Sequence, residues 1–161
     1  MNMKIKLKKI LNGHISNSSK FEVENLDLYG DEFKESLNKY LVEFTVGILD
    51  PDVRGKKPDK FIEKLFNGRL GDFSKRYIKL AYDNDKVVGL LIGLPQGEKE
   101  LYVYSLHITP NYRNRGVGSI LLATCINDMY ANNINCITLD VHSNNKPAYN
   151  LYKKFGFEEF N

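Results

Sequence analysis

The sequence is poor in the residues that build metal centres and disulfide scaffolds. Its 161 residues include two cysteines, Cys125 and Cys136, which form no CxxC pair, and three scattered histidines, His14, His107 and His142. Neither pattern reads as a metal site, so no metal is expected. No apolar run approaches the roughly 18 residues that a membrane span needs, and no membrane partner is expected. The start of the chain lacks the apolar stretch of a secretory signal, which points to a cytoplasmic protein with reduced thiols. Charge of one sign is also missing. The balance of 23 basic against 20 acidic residues leaves a net charge of +3. That is too mild a field to imply nucleic acid. The one basic run, Lys4 to Lys9, alternates lysines with apolar residues and reads as a strand with one solvated face.

What is present is a globular composition, 42% hydrophobic and 27% charged. A chain of this length buries enough surface to fold as one domain, residues 1–161. Residues 3–11 read as a strand, and Asn12 to Asn25 as polar loop. Asp31 is the expected cap of an amphipathic helix, because Phe33, Leu37, Tyr40, Leu41, Phe44 and Ile48 follow helical spacing. Asp50-Pro51 and Gly55 to Pro58 break it. A short second helix carries Phe61, Ile62, Leu65 and Phe66 on one face and ends at Gly68. Strands are predicted at 77–82, 87–94, 101–108 and 134–141, the first two joined as a hairpin at Asp83 to Lys86. An apolar helix is expected from Ser119 to Ala131. A last helix starts after Asn144 or Asn145, carries Ala148, Leu151, Tyr152 and Phe155, and stops at Gly156. The pattern implies an α/β (α+β) fold: a mixed, mostly antiparallel central sheet flanked by helices on both faces.

The informative unit is a strand, then Arg113-x-x-Gly116-x-Gly118, then a helix. Glycines at a helix start bare its unpaired N–H groups, and the helix dipole and two arginines, Arg113 and Arg115, add positive charge. This suits a phosphate or pyrophosphate. An ordinary glycine turn with surface arginines is the competing reading. The loop is not a P-loop, since no Gly-Lys-Ser/Thr follows, and it lacks the third glycine of a dinucleotide fingerprint.

Two segments carry a resemblance. Leu106-His-Ile-Thr-Pro110-Asn-Tyr-Arg113-Asn-Arg-Gly116-Val-Gly118 resembles the acetyl-CoA loop of the GNAT superfamily of N-acetyltransferases. Leu139-Asp-Val-His-Ser-Asn-Asn145-Lys-Pro-Ala148-Tyr-Asn-Leu-Tyr152-Lys-Lys-Phe-Gly156-Phe157 resembles the family's strand–Asn-x-x-Ala-x-x-x-Tyr–Gly-Phe segment. They occur in the family's order and cover 86–157.

The resemblance implies a function: acetyl transfer from acetyl-CoA to a primary amine of a small molecule or peptide, by direct attack on the thioester. It implies that the N–H groups of residues 114–119 (Asn114, Arg115, Gly116, Val117, Gly118, Ser119), introduced by Arg113, hold the CoA pyrophosphate. The backbone around His107, at Leu106 and Ile108, pairs with the pantetheine arm on a bulged, splayed strand. Asn145 reaches the pantetheine through its amide, and Tyr152 donates a proton to the departing sulfur. It divides the chain into an acceptor-side strand and two helices, 1–70, and an acetyl-CoA core, 76–161.

The base is not set by the resemblance. The strand before the loop has no carboxylate, which leaves His107, Glu100 just outside the strand, or a water relay. Alternation puts His107 with Val103 and Ser105. Asp50, Asp52 and Asp140 are carboxylates that could bind an amine. The family commonly continues past Gly-Phe with two further strands. Here at most one short strand is expected, which implies a more open acceptor groove or one completed by a second copy in a homodimer. The alternative function is a non-catalytic CoA-binding or sensing module on the same fold.

Overall fold

The computed structural model describes residues 3–50, 53 and 56–161. Seven strands form one sheet: β1 (Lys4–Ile10), β2 (Glu22–Asn25), β3 (Tyr77–Asp83), β4 (Lys86–Gln96), β5 (Glu100–Ile108), β6 (Cys136–His142) and β7 (Glu158–Glu159). The helices are α1 (Gly30–Phe44), α2 (Asp59–Phe66), α3 (Val117–Ala131) and α4 (Lys146–Lys154). The strand order is β2-β3-β4-β5-β6-β1-β7, and only β5 and β6 run parallel. This is the mixed, mostly antiparallel sheet expected.

Two apolar clusters lie on opposite faces. Leu91, Leu101, Val103, Leu139 and Val141 face α3. Ile78, Leu80, Leu90, Ile92 and Leu94 face α1 and α2. β4 is buried on both faces, as the continuous apolar run Val87 to Leu94 demands. The β3–β4 hairpin turns at Asn84, with φ 54°, in a conformation asparagine tolerates.

Three expectations need correction. Asp31 does not cap α1; the cap position is Tyr29, and Asp31 sits in the first turn, where its charge suits the helix dipole. The helix ends at Phe44, short of Ile48. The polar stretch before α1 contains β2, a four-residue edge strand with one apolar residue, Val23, too short to give a periodic signal. In the sheet, β1 stands apart from β2, the strand that follows it in sequence. It crosses to the other side of the sheet and pairs with β6 from Lys4↔His142 to Ile10↔Cys136. β7 then adds outside β1. The edge of β6 is therefore covered by this chain's own N-terminal strand. The expected break at Pro51 and Gly55, and the carboxylate Asp52, lie outside the described residues.

Candidate active site

The site is built where β5 and β6 part. They pair in parallel from Glu100↔Cys136 to Val103↔Leu139 and no further. A bulge in β5 starts the divergence: Ser105 opposes Ile92 and Val103 opposes Gly93, so Tyr104 is the extra residue. A bulge bends its strand and strengthens its twist, which opens a wedge between β5 and β6.

The bulge also resets the alternation. Leu101 and Val103 face α3, and past the bulge Leu106 and Ile108 face α3 as well. His107 opposes Leu90, a residue of the α1 face, and cross-strand partners share a face. His107 therefore lies on the α1 face, away from Val103. The expectation that grouped the two fails because one extra residue inverts a period of two.

Backbone direction follows from the next bond. Thr109 donates its N–H to the Val88 carbonyl in β4 at 2.9 Å. Strand alternation then turns the N–H groups of Leu106 and Ile108 the other way, into the wedge.

At the top of the wedge, α3 begins. Its N-cap is Gly116, at φ 90°, a left-handed conformation that glycine adopts without strain, and no side chain caps the helix. The first N–H groups of α3 are thus left for a ligand. Gly118 serves a different purpose. A Cβ there would stand 3.1 Å from Leu151, so its small size lets α3 and α4 approach. Gly89 in β4, which sequence reading passed over, is tighter still. A Cβ there would meet Val117 at 2.8 Å, Leu121 at 2.9 Å and Ile108 at 3.1 Å.

The two arginines separate. Arg113 donates from Nε to the Ile108 carbonyl at 3.2 Å. Its Nη2 donates to the carbonyls of Phe44 at 2.9 Å and Val46 at 2.7 Å. It is a strut between the end of α1 and the end of β5. Arg115 lies over the Tyr112 ring, 4.4 Å from its centroid, and is not part of the cavity wall.

A cavity of about 610 Å³ fills the wedge. Of the residues expected at the site, Leu106, His107, Ile108, Arg113, Asn114, Gly116, Val117, Gly118, Ser119, Asn145 and Tyr152 all line it, and Arg115 does not. Asn145 accepts a 3.5 Å bond from the Ala148 N–H through Oδ1, which caps α4 and leaves its amide NH2 without that duty. Tyr152 is buried, its ring centroid 5.7 Å from that of Phe157. Burial raises the pKa of its hydroxyl, so it holds its proton at neutral pH. Phe44, Gly47, Ile48 and Leu49 form a second wall that sequence reading missed. Ile48 and Leu49 follow α1 in an irregular segment, and nothing in their spacing assigns them to a cavity.

The candidate bases separate as well. Glu100 lies at the paired end of β5, away from the wedge, where its Oε2 accepts from Thr138 Oγ1 at 2.7 Å. His107 lines the cavity, but burial first and Arg113 second push its pKa down to about 4. Asp140 is the first residue of β6 past the paired stretch. It is exposed, on the face opposite Leu139 and Val141, and accepts a 2.7 Å bond from the Tyr102 hydroxyl. Among the described residues, no group of three His, Cys, Asp or Glu side chains could hold a metal ion, and no helix is long and apolar enough to cross a membrane.

Known proteins resemble this chain in sequence and in fold. The profile of the Acetyltransferase (GNAT) family matches residues 37–157. N-alpha-acetyltransferase 50 of Danio rerio is 36% identical over 104 residues, 62% of this chain and 58% of that protein. The ribosomal protein bS18-alanine N-acetyltransferase of Salmonella typhimurium is 27% identical over 97 residues, 60% of this chain and 64% of that protein. This chain thus spans less than two thirds of the length of these curated relatives. Among solved structures, Arabidopsis thaliana Naa50 in complex with the bisubstrate analogue CoA-Ac-MVNAL superposes with a TM-score of 0.61 at 29% identity, covering 89% of this chain and 86% of that one. The PaiA N-acetyltransferase of Thermoplasma acidophilum, in complex with coenzyme A, has the same fold, with a TM-score of 0.66 at 22% identity over 86% of this chain and 89% of that one. The profile match spans well over half of the sequence, and with the split β5–β6 pair and the uncapped start of α3 it leads to one conclusion: the chain belongs to the GNAT acetyltransferase family.

Proposed function

We propose that this chain is an N-acetyltransferase that carries an acetyl group from acetyl-CoA to the amine of a peptide or protein. The observation that carries the reading is the wedge itself. Unpaired strand N–H groups run along β5 and lead to an uncapped helix start, which suits an amide-rich arm ending in a pyrophosphate. The relatives named above as acetyltransferases and the CoA-Ac-MVNAL complex of the plant homologue point the same way.

Acetyl-CoA supplies an activated acetyl group as a thioester. The residues supply the rest. In this reading the N–H groups of residues 114–119 bind the pyrophosphate, and those of Leu106 and Ile108 pair with the pantetheine arm. The Ile108 N–H is placed to stabilise charge that develops on the thioester oxygen. Asn145 offers its amide NH2. Tyr152, kept protonated, donates to the departing sulfur.

Asp140, exposed just past the paired stretch of β6 and held by the Tyr102 hydroxyl, is the counter-charge this reading gives the incoming ammonium. A terminal α-amine has a pKa near 8, so roughly a tenth of it is already neutral at pH 7 and water can take the remaining proton. The apolar wall of Phe44, Ile48 and Leu49 favours an acceptor whose first side chain is apolar. The cytoplasm is the compartment this reading implies. A non-catalytic CoA-binding module would have no use for a buried hydroxyl at the sulfur end of the wedge.

The test has two stages. Calorimetry with acetyl-CoA alone should give saturable one-site binding. A peptide panel that includes MVNAL should then release free thiol. Absence of acetyl-CoA binding would sink the proposal, and binding without thiol release across the panel would favour the non-catalytic module.

A further inference from the structure

His107 has an unusual combination of properties. Its ring lines the cavity, yet its Nδ1 is buried with no hydrogen-bond partner. A buried N–H without an acceptor is the costlier orphan, so the proton belongs on Nε2 and the lone pair on Nδ1. Nε2 is then the nitrogen a ligand can reach, and it carries a hydrogen. The bulge places this ring on the α1 face, the side walled by Phe44 and Ile48, while the N–H of Ile108 points into the wedge. Resting on the acetyltransferase reading, we infer that His107 is a binding residue for the acceptor: its neutral imidazole donates Nε2–H to a peptide carbonyl of the acceptor, close to the reacting amine.

The alternative role, general base, fails on magnitude. Passing a proton from an α-ammonium of pKa near 8 to an imidazole whose pKa is pushed down to about 4 is uphill by roughly 10⁴-fold. The same suppression suits a donor, because an imidazole that stays neutral keeps one tautomer and adds no charge beside Arg113. A role toward the thioester is disfavoured by the face on which the ring lies.

Two measurements test the inference. In the free protein labelled with ¹⁵N-histidine, long-range ¹H–¹⁵N spectra should show His107 as the neutral Nε2–H tautomer from pH 5.5 to 8, its signals assigned by their loss in His107→Phe. An Nδ1–H tautomer or a cation in that range would overturn it. In kinetics, His107→Phe should raise KM for peptide acceptors about tenfold, as for one lost hydrogen bond to a neutral group. It should leave kcat and the acetyl-CoA Kd within about threefold, and His107→Asn should recover part of the loss through its amide N–H. A simple alkylamine, which has no carbonyl to offer, should lose less turnover to His107→Phe than a peptide acceptor does, and an equal loss for both would overturn the inference.

A fall in kcat at constant KM would move His107 to the thioester, and a matching loss of acetyl-CoA affinity would move it to the cofactor wall. Wild-type protein that binds acetyl-CoA but acetylates no peptide would also overturn the inference, whereas failure to bind acetyl-CoA would sink the acetyltransferase reading first.

Discussion

Helices α1 and α3 have the same length, fifteen residues, and lie on opposite faces of one sheet, yet they are held in different ways. α3 buries seven side chains, from Val117 in its first turn to Met129 in its last. Its start is pressed against β4 so closely that a Cβ at Gly89 would force the side chains of Val117 and Leu121 to shift. α1 buries one stripe of four, Phe33, Leu37, Leu41 and Phe44, and its C-terminal end is tied down by Arg113. Beyond it, Val46 and Leu49 are exposed. On the proposed reading, the face that would offer backbone groups to the cofactor is packed from its first residue, and the face that would meet an acceptor is packed in the middle and exposed at its rim. A cofactor is the same at every turnover, and its cradle gains from being preorganised. An acceptor side chain varies, and a rim held by one arginine can adjust to it.

Breaking each side separately sharpens the contrast. The largest effect should come from Tyr152→Phe. A missing proton donor lowers kcat by about 10²-fold, the lower end for general acids, because a thiolate is a tolerable leaving group. Acetyl-CoA affinity by calorimetry and the melting temperature should stay near wild type, since the ring is retained. Wild-type kcat would assign Tyr152 to packing alone.

Next in size is Gly89→Ala. The added methyl falls within about 3 Å of Val117, Leu121 and Ile108, and overpacking of this kind costs about 1–3 kcal/mol. Because the displaced side chains belong to the start of α3 and the end of β5, acetyl-CoA binding should weaken along with stability in urea melts. A stable variant with unchanged acetyl-CoA affinity would show that the cradle is less rigid than the contacts imply.

On the α1 face, stability should depend on pH through His107. Its folded pKa, about 4, lies below its unfolded value near 6.5, so the unfolded chain binds the proton first as pH falls. The contribution is fully present above pH 6.5 and lost toward pH 4, about 2 kcal/mol of it between pH 7 and 5. Urea midpoints for His107→Phe should lack this slope; a parallel slope in both proteins would place the titrating group elsewhere.

Arg113→Met should give the smallest change. It removes three hydrogen bonds, to the carbonyls of Phe44, Val46 and Ile108, and loosens the acceptor rim, which reaches the acceptor only indirectly and raises peptide KM roughly tenfold. Acetyl-CoA affinity should fall less than that. An equal or larger loss in acetyl-CoA binding would make Arg113 a direct phosphate ligand and erase the division between the two faces.

Local chemistry settled a good deal of this molecule in advance. Gly116 is needed where the chain turns left-handed into α3, Asn145 sits at the start of α4, and the apolar runs in β4 and α3 belong to a two-sided core; each depends on neighbours within a few residues. The tertiary structure decided what depends on distant ones. Gly89 looks like any strand glycine until α3 is laid across it. Arg113 reads as an anion ligand from its own neighbours, and its bonds to the carbonyls of Phe44 and Val46, the latter 67 residues back along the chain, exist only in the fold. β1 pairs with a strand more than a hundred residues away, and four-residue β2 is held by β3 rather than by its own pattern. The face of His107 turns on one extra residue at Tyr104, because side-chain alternation is a local rule that a single bulge inverts, and a bulge is defined only when two strands are paired.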